Sequence, residues 1–72
     1  MDYRPGYTYN AGDKISGIYH GVAFEGAVMN TRRHTQRSNL TELQVLLTAE
    51  IEVYGTKRDC LILMIFDSGE EY

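Results

Sequence analysis

The side chains of this chain that are best suited to chemistry lie in one short basic segment. Within 32–37 the guanidinium and imidazole groups belong to Arg32, Arg33, His34 and Arg37. A second basic pair follows later in the chain, at Lys57 and Arg58. Guanidinium groups donate paired hydrogen bonds to phosphate or carboxylate oxygens, and they stack on exposed bases. The basic residues therefore predict a binding surface for nucleic-acid phosphates or for the carboxylates of a protein partner.

Tyr19 and Tyr54 are candidates for a stacking face that complements these cations. Polar side chains between the arginines, among them Thr35 and Gln36, offer hydroxyl and amide groups to bases or to a backbone. The opposing interpretation is a solvated loop whose charges keep a sheet edge from aggregating. The net charge of -3 favours this second interpretation, because nucleic-acid-binding domains usually present a wide basic surface.

The sequence contains no pattern typical of catalysis or of metal binding. Cys60 is the single cysteine, and its distance along the chain from His20 and His34 does not match the spacing of zinc ligands. Cys60 also opens an apolar run, where a cysteine usually behaves as a small hydrophobic residue. We therefore expect a protein that is not an enzyme and has neither a metal site nor a cofactor.

Length and composition predict one small domain. A chain of 72 residues buries only about 60% of the surface that its unfolded state exposes, so its stability margin is thin. One cysteine cannot form an intramolecular disulfide, and self-association is an expected source of additional burial. The longest apolar run, 60–66, is far shorter than the roughly 20 residues of a membrane span. We expect a soluble cytoplasmic protein, assembled as a homo-oligomer and not bound to membranes.

Alternating hydrophobicity predicts the strands. Between 43 and 54, every odd position is apolar, which is the period of a strand with one buried face. The segment 22–30 alternates nearly as well, and Gly21 before it permits a tight hairpin turn. The run 60–66 is apolar on both faces, so one face needs a cover from residues 1–13 or from a second subunit. The candidate oligomer interface on this run comprises Ile62, Met64 and Phe66.

A helix over 40–50 competes with the strand prediction. Asn39 followed by Glu42 has the form of a capping box, and Leu40, Leu43 and Leu47 would line one face of that helix. The strict alternation continues past the point where the helix would end, which favours a strand. The sequence leaves one short helix in this region as an alternative.

The chain divides into an arm, a domain and a tail. Residues 1–13 form a tyrosine-rich arm that either closes the core or presents an aromatic contact surface. Residues 14–66 form a single β domain with an exposed basic loop at 31–39, and 67–72 form an acidic tail. The predicted fold is all-β and mainly antiparallel. It is a strongly bent sheet or partly closed barrel of about five strands, similar in general shape to SH3-like and Sm-like small barrels.

Two functional hypotheses follow from these features. The first is a non-catalytic binding module that contacts nucleic acid through the basic loop and through the exposed tyrosines. The second is a small interaction or inhibitor protein, of the kind that viruses and mobile elements encode, which docks on a larger protein or self-assembles. The short length and the acidic balance fit the second hypothesis nearly as well as the basic loop fits the first.

Overall fold

Four antiparallel strands form one sheet. The computed structural model describes residues 3–72. A 3-10 turn at Gly6–Thr8 precedes the strands, and each strand pairs with the next one in the chain. The strands are β1 (Lys14–Tyr19), β2 (Val22–Arg33), β3 (Leu40–Val53) and β4 (Thr56–Phe66). The predicted all-β, antiparallel fold class is confirmed.

The strand count is four, whereas the sequence predicted about five. The arm does not form another strand, because it lies over the sheet and contributes side chains to the core rather than a hydrogen-bonded ladder. The tail pairs with β4 through a single antiparallel bridge between Ile65 and Glu71. Residues 1 and 2 of the predicted arm lie outside the described residues.

The helix alternative over 40–50 is wrong, because these residues lie in β3. Leu43, Val45 and Leu47 are buried on one face, whereas Leu46 is half exposed on the other. This period of two places three apolar residues of β3 against the core, and the cross-strand ladders to β2 and β4 satisfy its main-chain groups. Among residues 3–72, none of the helical structure is long and apolar enough to cross a membrane.

Both hairpin turns have two residues in the left-handed region. His20 and Gly21 join β1 to β2 with φ of 48° and 82°, and Tyr54 and Gly55 join β3 to β4 with φ of 50° and 76°. Positive φ at both central residues is the requirement of the type I′ turn, whose twist matches that of the strands. Glycine satisfies it without steric cost at the second position of each turn.

The core lies on the inner face of the bent sheet, between the strands and the arm. Leu43, Leu63 and Ile65 are fully buried at its centre. Tyr9 of the arm belongs to the same cluster, and Tyr3 packs against it. The arm therefore covers the inner face of the run 60–66. Ile62, Met64 and Phe66 lie on the other face of this run.

Two bulges bend the sheet. One lies in β2, between Val28 and Asn30, and the other in β3, between Leu46 and Ile51. In the second bulge the four residues 47–50 of β3 face only Asp59 of β4. Extra residues in one strand bend it and increase its local twist. The bend tilts the β3–β4 turn towards the β1–β2 turn, so that the rings of His20 and Tyr54 lie 5.4 Å apart.

Candidate functional site

Two of the predicted site arginines are strand residues held in ion pairs. The exposed loop predicted over 31–39 is wrong in its first three residues, because β2 continues to Arg33. The Nη2 atom of Arg32 lies 2.8 Å from Oε2 of Glu42, the residue opposite it in β3. Arg33 donates to both carboxylate oxygens of Asp67, at 2.8 and 2.9 Å. These polar contacts stabilise the pairing of β2 with β3 at Arg32 and Arg33. The sequence predicted a loop there because the segment has no large apolar residue.

The remaining cation of the basic segment lies in the loop 34–39. Nδ1 of His34 accepts hydrogen bonds from the main-chain N–H groups of Gln36 and Arg37, each at 3.2 Å. The guanidinium of Arg37 lies 4.9 Å from the centre of the Tyr72 ring. The basic segment is therefore attached to the acidic tail, through Arg33 and through Arg37, and much of its charge is already compensated within the chain.

The structure separates the two halves of the predicted binding surface. In a meander, the β2–β3 loop and the other two turns lie at opposite ends of the sheet, so β3 separates the basic segment from Lys57 and Arg58. The second end carries an aromatic cluster in which Tyr19 and His20 meet edge to face at 4.4 Å. Tyr54 is 85% exposed there, whereas Tyr19 packs against the core. The predicted basic and aromatic residues do not form one surface.

An apolar strip crosses the outer face of β2, β3 and β4. Ala27, Leu46 and Cys60 lie opposite one another in neighbouring strands, and Ile62 and Met64 continue the same face of β4. We call these five residues the outer strip. Leu46 is 50% exposed and Ile62 47%, although both lie within long strands. The sequence singled out Ile62 and Met64, but it missed Leu46 because the strand pattern alone does not show that its neighbours are apolar.

A shallow groove of about 220 Å³ lies beside the outer strip. Its lining combines the carboxamides of two residues, the Arg32–Glu42 ion pair and the side chain of Ile62, and comprises Asn30, Thr31, Arg32, Glu42, Gln44 and Ile62. Polar groups around an apolar centre are the usual arrangement of protein interfaces. The groove therefore supplies hydrogen-bonding groups at the rim of the strip.

The tail pairs with the free edge of β4 at the C-terminal end of this strand. The N–H of Phe66 donates to the carbonyl of Glu70, and the N–H of Tyr72 donates to the carbonyl of Met64, both at 2.8 Å. The Tyr72 ring lies 6.0 Å from the ring of Phe66, on the side of Arg37. The tail thus pairs with β4 through one bridge, and its aromatic ring lies in a seat formed by Phe66 and Arg37.

The arm and the tail meet next to β1. The N–H of Tyr3 donates to the carbonyl of Gly69 at 3.0 Å, and its phenol reaches Gly17, where no side chain would fit. The Tyr3 hydroxyl is buried without a well-formed hydrogen bond, although the main chain of Ile18 is near. Burial, reinforced by the charge of Glu71, raises the pKa of Tyr3. Partial desolvation raises the pKa of Glu71, against the opposing effect of His20.

The residues that the structure describes contain no group of three or more His, Cys, Asp or Glu side chains able to hold a metal ion. Cys60 is a free thiol at the surface. Comparison of the chain with models of protein families, with curated proteins and with solved structures finds no match. The fold defines the chain as a small antiparallel β domain. The exposed residues of this domain indicate its function.

Proposed function

We propose that this chain is a small, non-catalytic protein-docking domain whose contact surface is the outer strip. The observation that carries the proposal is the pair Leu46 and Ile62, two aliphatic side chains that are half exposed on neighbouring strands. Covering apolar surface contributes about 25 cal/mol per Å². Contiguous apolar patches with a polar rim are typical of protein contact sites, whereas single exposed hydrophobic residues are ordinary.

The arrangement of charges supports a protein partner over a nucleic acid. Arg32 and Arg33 are paired with carboxylates, and Arg37 lies over an aromatic ring. Lys57 and Arg58 lie at the other end of the sheet, close in the chain to Asp59, Glu50 and Glu52. Nucleic-acid affinity requires several cations that neutralise phosphates together. The carboxylates already bound to the arginines compete with phosphates for the same donors.

A peptide library displayed on phage tests the proposal directly. We expect the folded chain to select peptides whose binding is lost in the variant Leu46→Asp, because a carboxylate in the strip cannot be desolvated by an apolar partner. The matched control is Thr48→Asp, which adds the same charge at an exposed position of the β3 bulge and should leave binding intact. Circular dichroism checks that both variants keep the β fold.

Two results would overturn the proposal. The first is selection of the same peptides by the wild type and by Leu46→Asp, which would place the contact elsewhere. The second is the absence of any selected peptide whose binding depends on Leu46. Measurable binding of single-stranded RNA or DNA at 50 mM salt would then favour the nucleic-acid hypothesis.

A further inference from the structure

We infer that the free edge of β4 binds an extended peptide strand of the partner, antiparallel to β4, with an aromatic side chain in the seat of Tyr72 and an apolar side chain over Ile62. This inference rests on the proposed docking function and names its mode of binding. Addition of a strand to a sheet edge provides main-chain hydrogen bonds for affinity, and the pockets of alternate side chains provide specificity.

The tail shows which chemistry this edge accepts. Its residues pair with β4 in the antiparallel sense, with Glu71 opposite Ile65 and hydrogen bonds on either side of that bridge. Its aromatic ring lies against Phe66 and under the guanidinium of Arg37. A cation that faces an aromatic ring is attracted to its π electrons. The seat therefore favours an extended segment that carries an aromatic residue.

The open part of the edge continues beyond the point where the tail pairs. Met64 and Phe66 direct their main-chain groups to this edge, and strand alternation gives Cys60 and Ile62 the same direction. Within residues 3–72, the edge-facing groups of Cys60 and Ile62 have no main-chain partner. A longer strand that replaced the tail would form the same hydrogen bonds to Met64 and Phe66. It would then continue along the edge and pair with Ile62 and Cys60.

The register of the tail decides which side chains of such a strand face the outer strip. Tyr72 lies opposite Met64, so the residue two positions further along an added strand lies opposite Ile62. The residue four positions further lies opposite Cys60, which has Leu46 as its neighbour on the other side, in β3. Both side chains point to the outer face, because side chains alternate along a strand. Apolar residues at these two positions would pack beside Ile62 and Cys60 and would extend the outer strip by one strand.

Charge and crowding disfavour a second copy of β4 as the added strand. A two-fold axis at Arg58 would place two guanidinium groups directly opposite each other, and an axis at Asp59 would do the same with two carboxylates. An axis at Cys60 would bring Thr56 opposite Met64, so a second copy would displace the tail without supplying an aromatic ring in place of Tyr72. The edge therefore fits a strand from another protein better than it fits itself.

The tail competes with any such peptide, since it is held near the edge by its own chain. Short connections give effective concentrations in the millimolar range. The variant Tyr72→Ala removes the aromatic ring of the competitor and leaves its seat for the ring of the peptide. We therefore expect this variant to bind a suitable peptide about tenfold more tightly than the wild type.

Two labelled peptides of equal composition test the inference by fluorescence anisotropy. The first, GEEYTVTV, repeats 69–72 and then places valine opposite Ile62 and Cys60. The second, GEEYVTVT, places its valines on the opposite face of the added strand. We expect the Tyr72→Ala chain to bind the first peptide about tenfold more tightly than the second, and the amide protons of Cys60 and Ile62 to be protected from exchange in that complex.

Equal affinities for the two peptides, or unprotected amides at Cys60 and Ile62 in the complex, would overturn the inference. If library peptides still depend on Leu46 in that case, the proposed docking function stands and only its strand-addition mode falls. If the library also yields no peptide that depends on Leu46, the proposed function falls with it.

Discussion

Single residues in this chain adopt conformations that their side chains do not favour. His20 and Tyr54 have positive φ, a region that asparagine and glycine tolerate better than an aromatic residue does. The two rings lie 5.4 Å apart, so the contact between the turns offsets part of the conformational cost. Because Tyr54 is largely exposed, a substitution there changes the backbone strain with little change in buried surface.

Replacing Tyr54 by asparagine is expected to stabilise the protein. Asparagine relieves a left-handed conformation that costs about 1–2 kcal/mol for an ordinary residue, and the change removes little buried surface. We expect a higher melting temperature in thermal unfolding followed by circular dichroism, with Tyr54→Ala as the control that removes the ring without favouring the turn. A lower melting temperature for Tyr54→Asn than for Tyr54→Ala would contradict this account.

Gly26 is required for space, not for backbone conformation. It lies inside β2, and a Cβ atom at this position would collide with the main-chain carbonyl of Leu46. We expect Gly26→Ala to destabilise the protein by about 1–3 kcal/mol, the usual cost of overpacking, as measured by urea unfolding. The control is Gly12→Ala, where the Cβ would meet open space and only the positive φ is unfavourable. A Gly26→Ala variant as stable as the wild type would refute a steric role for Gly26.

The elements at one end of the sheet are held together by polar contacts. Asp67 links the tail to β2 through Arg33, and its N–H donates to the carbonyl of Asn39 in the β2–β3 loop. The hydrogen bonds from Arg33 hold the pKa of Asp67 below its usual range. The ionised carboxylate is therefore favoured in the folded state, and its contribution to stability is lost as pH falls through that lowered pKa.

We expect Asp67→Asn to melt at a lower temperature than the wild type at pH 7. The difference should shrink as the pH falls below about 4, because the wild-type carboxylate then also becomes neutral. Glu71 acts with the opposite sign, since its raised pKa means that protonation favours the folded state. Thermal unfolding from pH 7 to pH 3 measures the effect, and a difference that stayed constant over this range would contradict it.

The basic segment gives a prediction about salt. If Arg32, Arg33 and Arg37 contacted three phosphates of a single strand, the log–log slope of affinity against salt would be about -2. Because Arg32 and Arg33 are paired within the chain, we expect a slope no steeper than about -0.7. Anisotropy titration of single-stranded DNA and RNA at 50 and 200 mM salt measures it. A slope near -2 that the triple alanine variant flattened would support the nucleic-acid hypothesis.

The molecule as a whole closes its inner core without a second subunit. Leu61, Leu63 and Ile65 are buried within one chain, and Tyr9 of the arm completes their cluster. The self-association expected from the length of the chain is thus not required to cover this face. The outer strip lies on the opposite face of the sheet and stays exposed at Leu46 and Ile62.

We expect the chain to be a monomer at micromolar concentration, with a melting temperature independent of concentration. The core is complete in one copy, and the symmetric registers of β4 oppose like charges or meet the tail. Light scattering coupled to size-exclusion chromatography measures the mass. The variant Tyr9→Ala should remain monomeric and lose about 3 kcal/mol of stability, as large-to-small changes of core aromatic residues do. A dimer that Leu46→Asp dissociated would show that the outer strip joins two copies.

The sequence by itself determined the antiparallel β class and large parts of β2, β3 and β4. Alternation predicted β3 and the first part of β2, because one buried face requires a period of two. A continuous apolar run predicted the part of β4 from Cys60 to Phe66. Only the tertiary structure decided that Arg32 and Arg33 extend β2, that Leu46 lies beside Cys60 and Ile62, and that the tail occupies the edge at Met64. These features depend on the register between strands, which the bulges shift, and on partners distant in the chain. The period of a single strand contains no information about either.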